Sequence, residues 1–192
     1  MRNKKFKQII ESAYDLFMHH GIRRVTVEEI CKTAGVSKMT FYKHFKNKID
    51  LALFVLNKQF EEGMKRYRDI MSQNIPYSEK AQDIIKMKLE SSKDISQEML
   101  KDLIGSPIPE VADLIQKIIQ ENLKLVLEDM ISAQKKGEVR QEINPHFIIY
   151  MLGRMQEMAV DERVLNMYES PQALTREIIN FFFYGILSRK KE

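Results

Sequence analysis

Helix breakers are few in this chain, and most of them stand where one helix should stop and the next begin. The 192 residues hold only seven Gly and five Pro, a scarcity that suits long helices and leaves little for the turns of a β-sandwich. Over residues 4–19 the apolar positions are Phe6, Ile9, Ile10, Ala13, Leu16 and Phe17. That is helical spacing with one buried stripe, and Gly21 follows where a C-cap belongs. Thr26-Val27-Glu28-Glu29 reads as a capping box, in which the threonine hydroxyl accepts from the N3 amide and Glu29 reaches back to the cap. The short helix it opens turns Val27, Ile30 and Ala34 inward and ends at Gly35. Ser37 is the next N-cap, so only a few residues separate two short helices, which is the spacing of a helix-turn-helix. The second short helix is expected over 38–45. Asn47, with Asp50 at the N3 position, caps a fourth helix expected over 48–71.

Beyond Ile75-Pro76, Ser78 is expected to open a helix ending near Ser91, and Ser96 to open another ending at Gly105. Ser106-Pro107-Ile108-Pro109 breaks the chain before the longest helix, which runs to Lys136 and closes at Gly137. Lysines just before that stop suit the carbonyl end of the helix dipole. Asn144-Pro145 and Ser170-Pro171 pair an N-cap with a proline at N1 and start the last two helices, over 145–166 and 171–188. The reading is all-α with about nine helices. A three-helix helix-turn-helix module occupies 1–47 and a helical ligand-binding and dimerisation bundle occupies 48–192.

Composition excludes several classes. A chain that is 44% hydrophobic and 30% charged is ordinary for a globular protein and long enough to bury a core without disulfide or metal staples. A single cysteine, Cys31, allows no internal disulfide and reads as a small buried apolar residue. His19, His20, His44 and His146 offer no i, i+4 pair, so no metal site is expected, and no cofactor. The N-terminus is basic, but no uninterrupted apolar segment follows it, so no secretory signal is expected. The apolar run 178–187 is shorter than the about 20 residues that a bilayer span needs. No membrane partner is expected, and the expected location is the cytoplasm. Residues 1–50 carry 11 Lys/Arg against 5 Asp/Glu, whereas residues 51–192 carry 20 against 22. A small basic module on a near-neutral body is the electrostatic footprint of a nucleic-acid binder, although a solvated surface alone also accounts for a charge surplus.

The segment 35–48 carries the functional reading. At 100° per residue Phe41 and Phe45 fall together and face the core. Met39, Thr40, Lys43 and His44 lie on the opposite arc, with Lys38 and Tyr42 at one flank. A short helix presenting lysines, hydroxyls and an aromatic suits the DNA major groove. Lysines and hydroxyls reach phosphates or base edges, and Met39 can press on a thymine methyl. Lys48 stands in the first turn of its helix, a poor place for a lysine beside the positive end of the dipole. A bound phosphate would rationalise it.

Together with Ile9-Ile10, Ala13, Leu16-Phe17, Gly21, the Thr26–Glu29 box, Ile30 and Ala34, this segment resembles the signature of the TetR family over about the first quarter of the chain. The resemblance implies that the third helix is the recognition helix. It implies phosphate contacts from Thr26, Tyr42, His44 and Lys48, and base contacts from Lys38, Met39 and Thr40. Glu28 and Lys43 are further candidates, and Ser37, the cap of the recognition helix, completes the DNA-binding set. Phosphate contacts set affinity and register, and base contacts set sequence choice. Methionine at 39 departs from the small residue frequent there. Arg23 and Arg24 precede the first cap, where they touch DNA or solvent. Lys4, Lys5 and Lys7 stand as either a flexible arm on DNA or a solvated terminus.

The remainder carries no nucleophile motif, no phosphate loop and no paired-carboxylate arrangement, so the chain is not expected to be an enzyme. It is rich in methionine, which fills irregular cores and also lines adaptable sites. Helical facing makes Met87, Met99, Leu103, Leu127, Met130, Met151 and Met155 candidate lining of a pocket for a largely apolar effector. Asn122, Tyr150, Arg154 and His146 are candidate polar orienting groups. The last helix is apolar nearly all round and so must be buried on more than one side. The resemblance implies a homodimer interface built from the last two helices, with Leu174, Ile178, Phe181, Phe182 and Tyr184 as candidates. The expected function is a sequence-specific regulator, a repressor released from a palindromic double-stranded operator by a small molecule. The alternative is a DNA-bound adaptor whose C-terminal body binds a protein partner.

Overall fold

The structure, a computed structural model, describes residues 2–159 and 161–186. Among them are ten helices and no strand. In chain order these are α1 (Arg2–His20), α2 (Val27–Ala34), α3 (Lys38–Tyr42), α4 (Lys48–Met71), α5 (Tyr77–Ser92), α6 (Gln97–Leu103), α7 (Pro109–Lys135), α8 (Pro145–Met158), α9 (Glu162–Leu165) and α10 (Pro171–Ile186). Leu187 and Ser188, expected in the last helix, lie outside the described residues.

Most helix ends fall where the local chemistry puts them. Gly21, Gly35, Gly105 and Gly137 all take positive φ, between 63° and 77°, where an L side chain is disfavoured. Ser96 Oγ accepts from the Met99 amide at 3.1 Å, Asn144 Oδ1 from His146 at 2.9 Å, and Ser170 Oγ from Ala173 at 3.2 Å. Four ends differ from expectation. α3, expected over 38–45, ends at Tyr42. α1 is helical from Arg2, so Lys4, Lys5 and Lys7 project from a helix and form no flexible arm; Lys7 pairs with Glu11 one turn on. α5 starts at Tyr77, and Ser78 is not its cap. The Tyr77 amide donates instead to Glu138 Oε1 at 2.9 Å, 61 residues away in sequence, so this end needs no local cap. The helix expected over 145–166 is two helices. Asp161 Oδ1 accepts from the Arg163 amide at 2.9 Å and caps the separate turn α9.

The chain divides into two compact units. One holds residues up to Glu62 together with Asp94–Lys117, and the other holds Gly63–Lys93 and Ile118 onward. α4 and α7 therefore each contribute residues to both. In the first unit α1 packs on α2 and on α6, and α2 on α3. Ile9, Ala13, Phe17, Ile22, Ile30, Phe41, Leu51 and Met99 form its buried interior. Each of the larger ones contributes about 1.5–3 kcal/mol of burial free energy. The Ser96 amide donates to Met18 O at 2.8 Å, fixing the approach to α6 against the end of α1.

In the second unit α5 packs on α10 around Tyr77, Ala81, Ile84, Met130, Phe182, Phe183 and Ile186. Its two buried tyrosines have partners, as buried hydroxyls require. Tyr67 Oη donates to Asp129 Oδ2 at 2.8 Å and Tyr77 Oη to Met130 Sδ at 3.3 Å. Burial, then the neighbouring Asp129, raises both phenols above the ordinary range.

Candidate DNA interface

The capping box forms as read. The Glu29 amide donates to Thr26 Oγ1 at 3.2 Å, and Glu29 Oε2 accepts from the Thr26 amide at 2.7 Å and its hydroxyl at 2.8 Å. Those bonds, the backbone one first, hold the Glu29 carboxyl below its usual range. Gly35 then turns the chain left-handed at φ 63°, with Val36 N–H donating to Cys31 O at 3.0 Å. Two residues on, Ser37 caps α3: the Thr40 amide donates to its Oγ at 3.2 Å, and the two hydroxyl oxygens lie 3.1 Å apart. The turn between α2 and α3 is therefore fixed at both ends by local bonds that the sequence supplies.

α3 is only five residues long, and its orientation comes from one side. Phe41 is fully buried and Phe45 nearly so. Phe45 stacks on Phe6 at 5.6 Å between centroids and meets Phe54 edge-on at 5.7 Å. This aromatic anchor turns the other face outward, where Met39 is 71% and Tyr42 56% exposed. A long apolar side chain left that open on so short a helix wants a partner surface. Lys38 and Lys43 are exposed, and Thr40 is half-buried by its bond to Ser37. Lys38 Nζ pairs with Glu28 of α2. Their hydrogen bond raises the Lys38 ammonium above and lowers the Glu28 carboxyl below their ordinary ranges. Thr26 is exposed at the start of α2. His44 is half-buried, its ring 5.2 Å from that of Phe6.

Lys48 has a structural reason that the sequence does not reveal. Its Nζ donates to Arg23 O at 2.9 Å and Val25 O at 2.7 Å, and burial lowers its ammonium pKa. A lysine in the first turn of α4 is thus accounted for by two backbone carbonyls of the corner before α2, and no bound phosphate is needed to explain it. Sequence reasoning also missed Asp102, whose carboxylate reaches that same corner. Nothing local marks it, since α6 reads as an ordinary polar helix.

The effector candidates are divided between the two units. Met99, fully buried, and Leu103, half-buried, belong to the first unit. Met87, Met130 and Met155 are buried in the second, where Asn122, Leu127 and Met151 are half-buried. Tyr150 is 59% exposed. Arg154 lies over its ring at 5.4 Å and pairs with Glu157, and His146 is exposed. Of the interface candidates, Leu174 and Phe182 are already buried by their own chain and Ile178 is half-buried. Phe181 and Tyr184 are 72% and 77% exposed. Among the described residues no His/Cys/Asp/Glu cluster fits a metal ion, and no helix is long and apolar enough to cross a membrane.

Comparison with known proteins places this geometry. Residues 9–54 match the family model of bacterial regulatory proteins of the tetR family, a span that contains the box, the turn, α3 and all of the anchor but Phe6. Over 95% of its length the chain is 22% identical to the uncharacterized HTH-type transcriptional regulator YdgC of Bacillus subtilis, of which the match covers 93%. The regulatory protein TetR from Rhodobacter sphaeroides shares the fold with a TM-score of 0.76 at 16% identity, over 95% of this chain and 98% of that one. The transcriptional regulator FadR from Bacillus subtilis, solved in complex with stearoyl-CoA, shares it with a TM-score of 0.72 at 20% identity, over 94% and 99%. The matched helix-turn-helix and the shared all-α fold give one conclusion: the chain is a transcriptional regulator whose helix-turn-helix DNA-binding domain, matched over residues 9–54, is of the kind found in tetR-family bacterial regulatory proteins.

Proposed function

We propose that the protein is a cytoplasmic repressor that binds a palindromic operator as a homodimer and is released by a small, largely apolar ligand. The observation that carries the DNA half is the outward face of α3, with Met39, Tyr42, Lys38 and Lys43 open opposite a locked aromatic anchor. In the major groove, Lys38, Met39 and Thr40 read base edges, with Glu28 setting the lysine and Lys43 beside it. Thr26, Ser37, Tyr42 and His44 position the backbone, and Lys48, two of whose ammonium protons hold the carbonyls of Arg23 and Val25, has the third for a phosphate. Functionally the chain divides at 47/48 into a reading module and a sensing and pairing body.

The exposed Phe181 and Tyr184 of α10, with the exposed Phe147 and Tyr150 of α8, suit a two-fold contact between copies. Two recognition helices then meet half-sites one helical turn or a multiple apart, about 34–36 Å per turn. The methionines of the second unit, Met87, Met130, Met151 and Met155, supply the adaptable lining. The stearoyl-CoA bound by FadR makes long-chain acyl-CoA the ligand class to try first. Because α4 contributes to both units, a ligand that favours another course of α4 changes the separation of the recognition helices. Release then follows from its differential affinity for the two states.

Selection of bound duplexes from a random pool tests the DNA half. Enrichment of one palindrome is expected, and no enriched sequence overturns it. Addition of stearoyl-CoA to the selected complex tests the ligand class. Release is expected, and an unchanged complex overturns that class while leaving DNA reading intact.

A further inference from the structure

Among the described residues, Asp102 is the one buried charged side chain, 1% exposed. It stands on α6, far along the chain from the helix-turn-helix, yet both carboxylate oxygens end on the corner between α1 and α2. Oδ2 accepts from the Arg23 amide at 3.0 Å, and Oδ1 from Arg23 Nε at 2.5 Å. The approach is so close that residue 21 has no room for a side chain. A Cβ there would meet Asp102 Oδ2 at 2.8 Å, on a backbone already at φ 77°.

The same short corner is held from its other side. Lys48, the first residue of α4, donates to the carbonyls of Arg23 and Val25. Thr26 then begins the capping box of α2. The peptide at Arg23 is thus fixed through its N–H by α6 and through its C=O by α4, immediately before the helix that sets up the recognition turn. Burying a carboxylate is costly, and an apolar side chain of similar size fills such a space more cheaply. What the carboxylate adds is direction, because it accepts two bonds in one defined geometry.

We propose that Asp102 is a positioning residue for DNA binding: from α6 it fixes the 21–26 corner through Arg23, and so sets the pose of the DNA-reading helices. This rests on the DNA-reading function proposed above. It extends the reading machinery past the helix-turn-helix to residues 94–117, which share its compact unit.

The test is made on the full chain with the selected duplex and a scrambled duplex of equal length. Asp102→Asn keeps the size and one acceptor and removes the charge. Its affinity for the selected duplex is expected to fall about tenfold, as for one lost charge-assisted hydrogen bond. Affinity for the scrambled duplex stays unchanged, since the phosphate-binding charges stay in place. The double variant Arg23→Ala/Asp102→Asn falls no further than the weaker single variant, as for one interacting pair. If Asp102→Asn does not fold, Arg23→Lys carries the same comparison, because it keeps the charge and removes Nε. Native affinity for the selected duplex in these variants overturns the proposal. So does an equal loss on both duplexes, which is the mark of a purely structural role. A native protein that selects no duplex overturns the DNA reading itself, and this inference with it.

Discussion

At the level of single residues, the DNA-binding end is set by short polar side chains whose partners lie within four positions. Thr26 and Glu29 satisfy each other, Ser37 Oγ accepts from the Thr40 amide, Asn47 Oδ1 from the Asp50 amide, and the Asp50 carboxylate from the Lys46 amide. Thr26→Ala is therefore expected to lower stability by about 1 kcal/mol, measurable by urea denaturation. The box also has a pH signature. Glu29 has a folded-state pKa below its unfolded one, so its contribution is fully present above the ordinary carboxylate range. It is lost as pH falls through the depressed value. Protection of the α2 amides against exchange should fall relative to that of α7 as pH drops below the ordinary carboxylate range, and Glu29→Gln should remove that difference. A profile that Glu29→Gln leaves unchanged would contradict the box. These residues were legible in the sequence because their bonds are local. Lys48 and Asp102 were not. Their partners, Val25 and Arg23, are 23 and 79 positions away, and no residue pattern encodes a contact of that span.

At the level of elements, apolar spacing and caps located nearly every helix, because a helix end is a local problem in satisfying amides and carbonyls. The exception is instructive. α5 has no local side-chain cap, and Glu138 supplies one from a distant loop, so the serine that resembles a cap stands two residues past the cap position, Pro76. α3 shows how little a recognition element needs from itself. Its five residues are far below the length at which a helix is stable alone, and Phe41 buried among Phe45 and Tyr42 rings holds it. Phe41→Ala should cost about 3–5 kcal/mol and lower the melting temperature, with specific DNA binding lost in proportion. A variant with unchanged melting would show that the anchor lies elsewhere.

At the level of the whole molecule, the sequence foretold the helical class and the basic reading end. The first unit recruits residues 94–117 across an intervening segment, which no composition shift announces. It is also why Met99 and Leu103, grouped by helical facing with the methionines of the body, belong to the other unit. The surface left open on α10 carries the expectation for assembly. Phe181→Asp/Tyr184→Asp places charge on two side chains that are exposed in one chain and buried in a two-fold pair, where an unpaired charge is not tolerated. Sedimentation should show the native protein at twice the chain mass and this variant at the chain mass. A native monomer would remove the palindrome from the account.

Sequence-specific regulation by this protein requires that the outward face of α3 read sequence. The measurement that decides it is the affinity of the native protein and of Tyr42→Ala for a selected duplex and for its scrambled counterpart, at one fixed salt concentration. The native protein should prefer the selected duplex by about 10³ or more, and Tyr42→Ala should lose affinity for both, as expected when a backbone-positioning contact is removed. Equal native affinity for the two duplexes would contradict it.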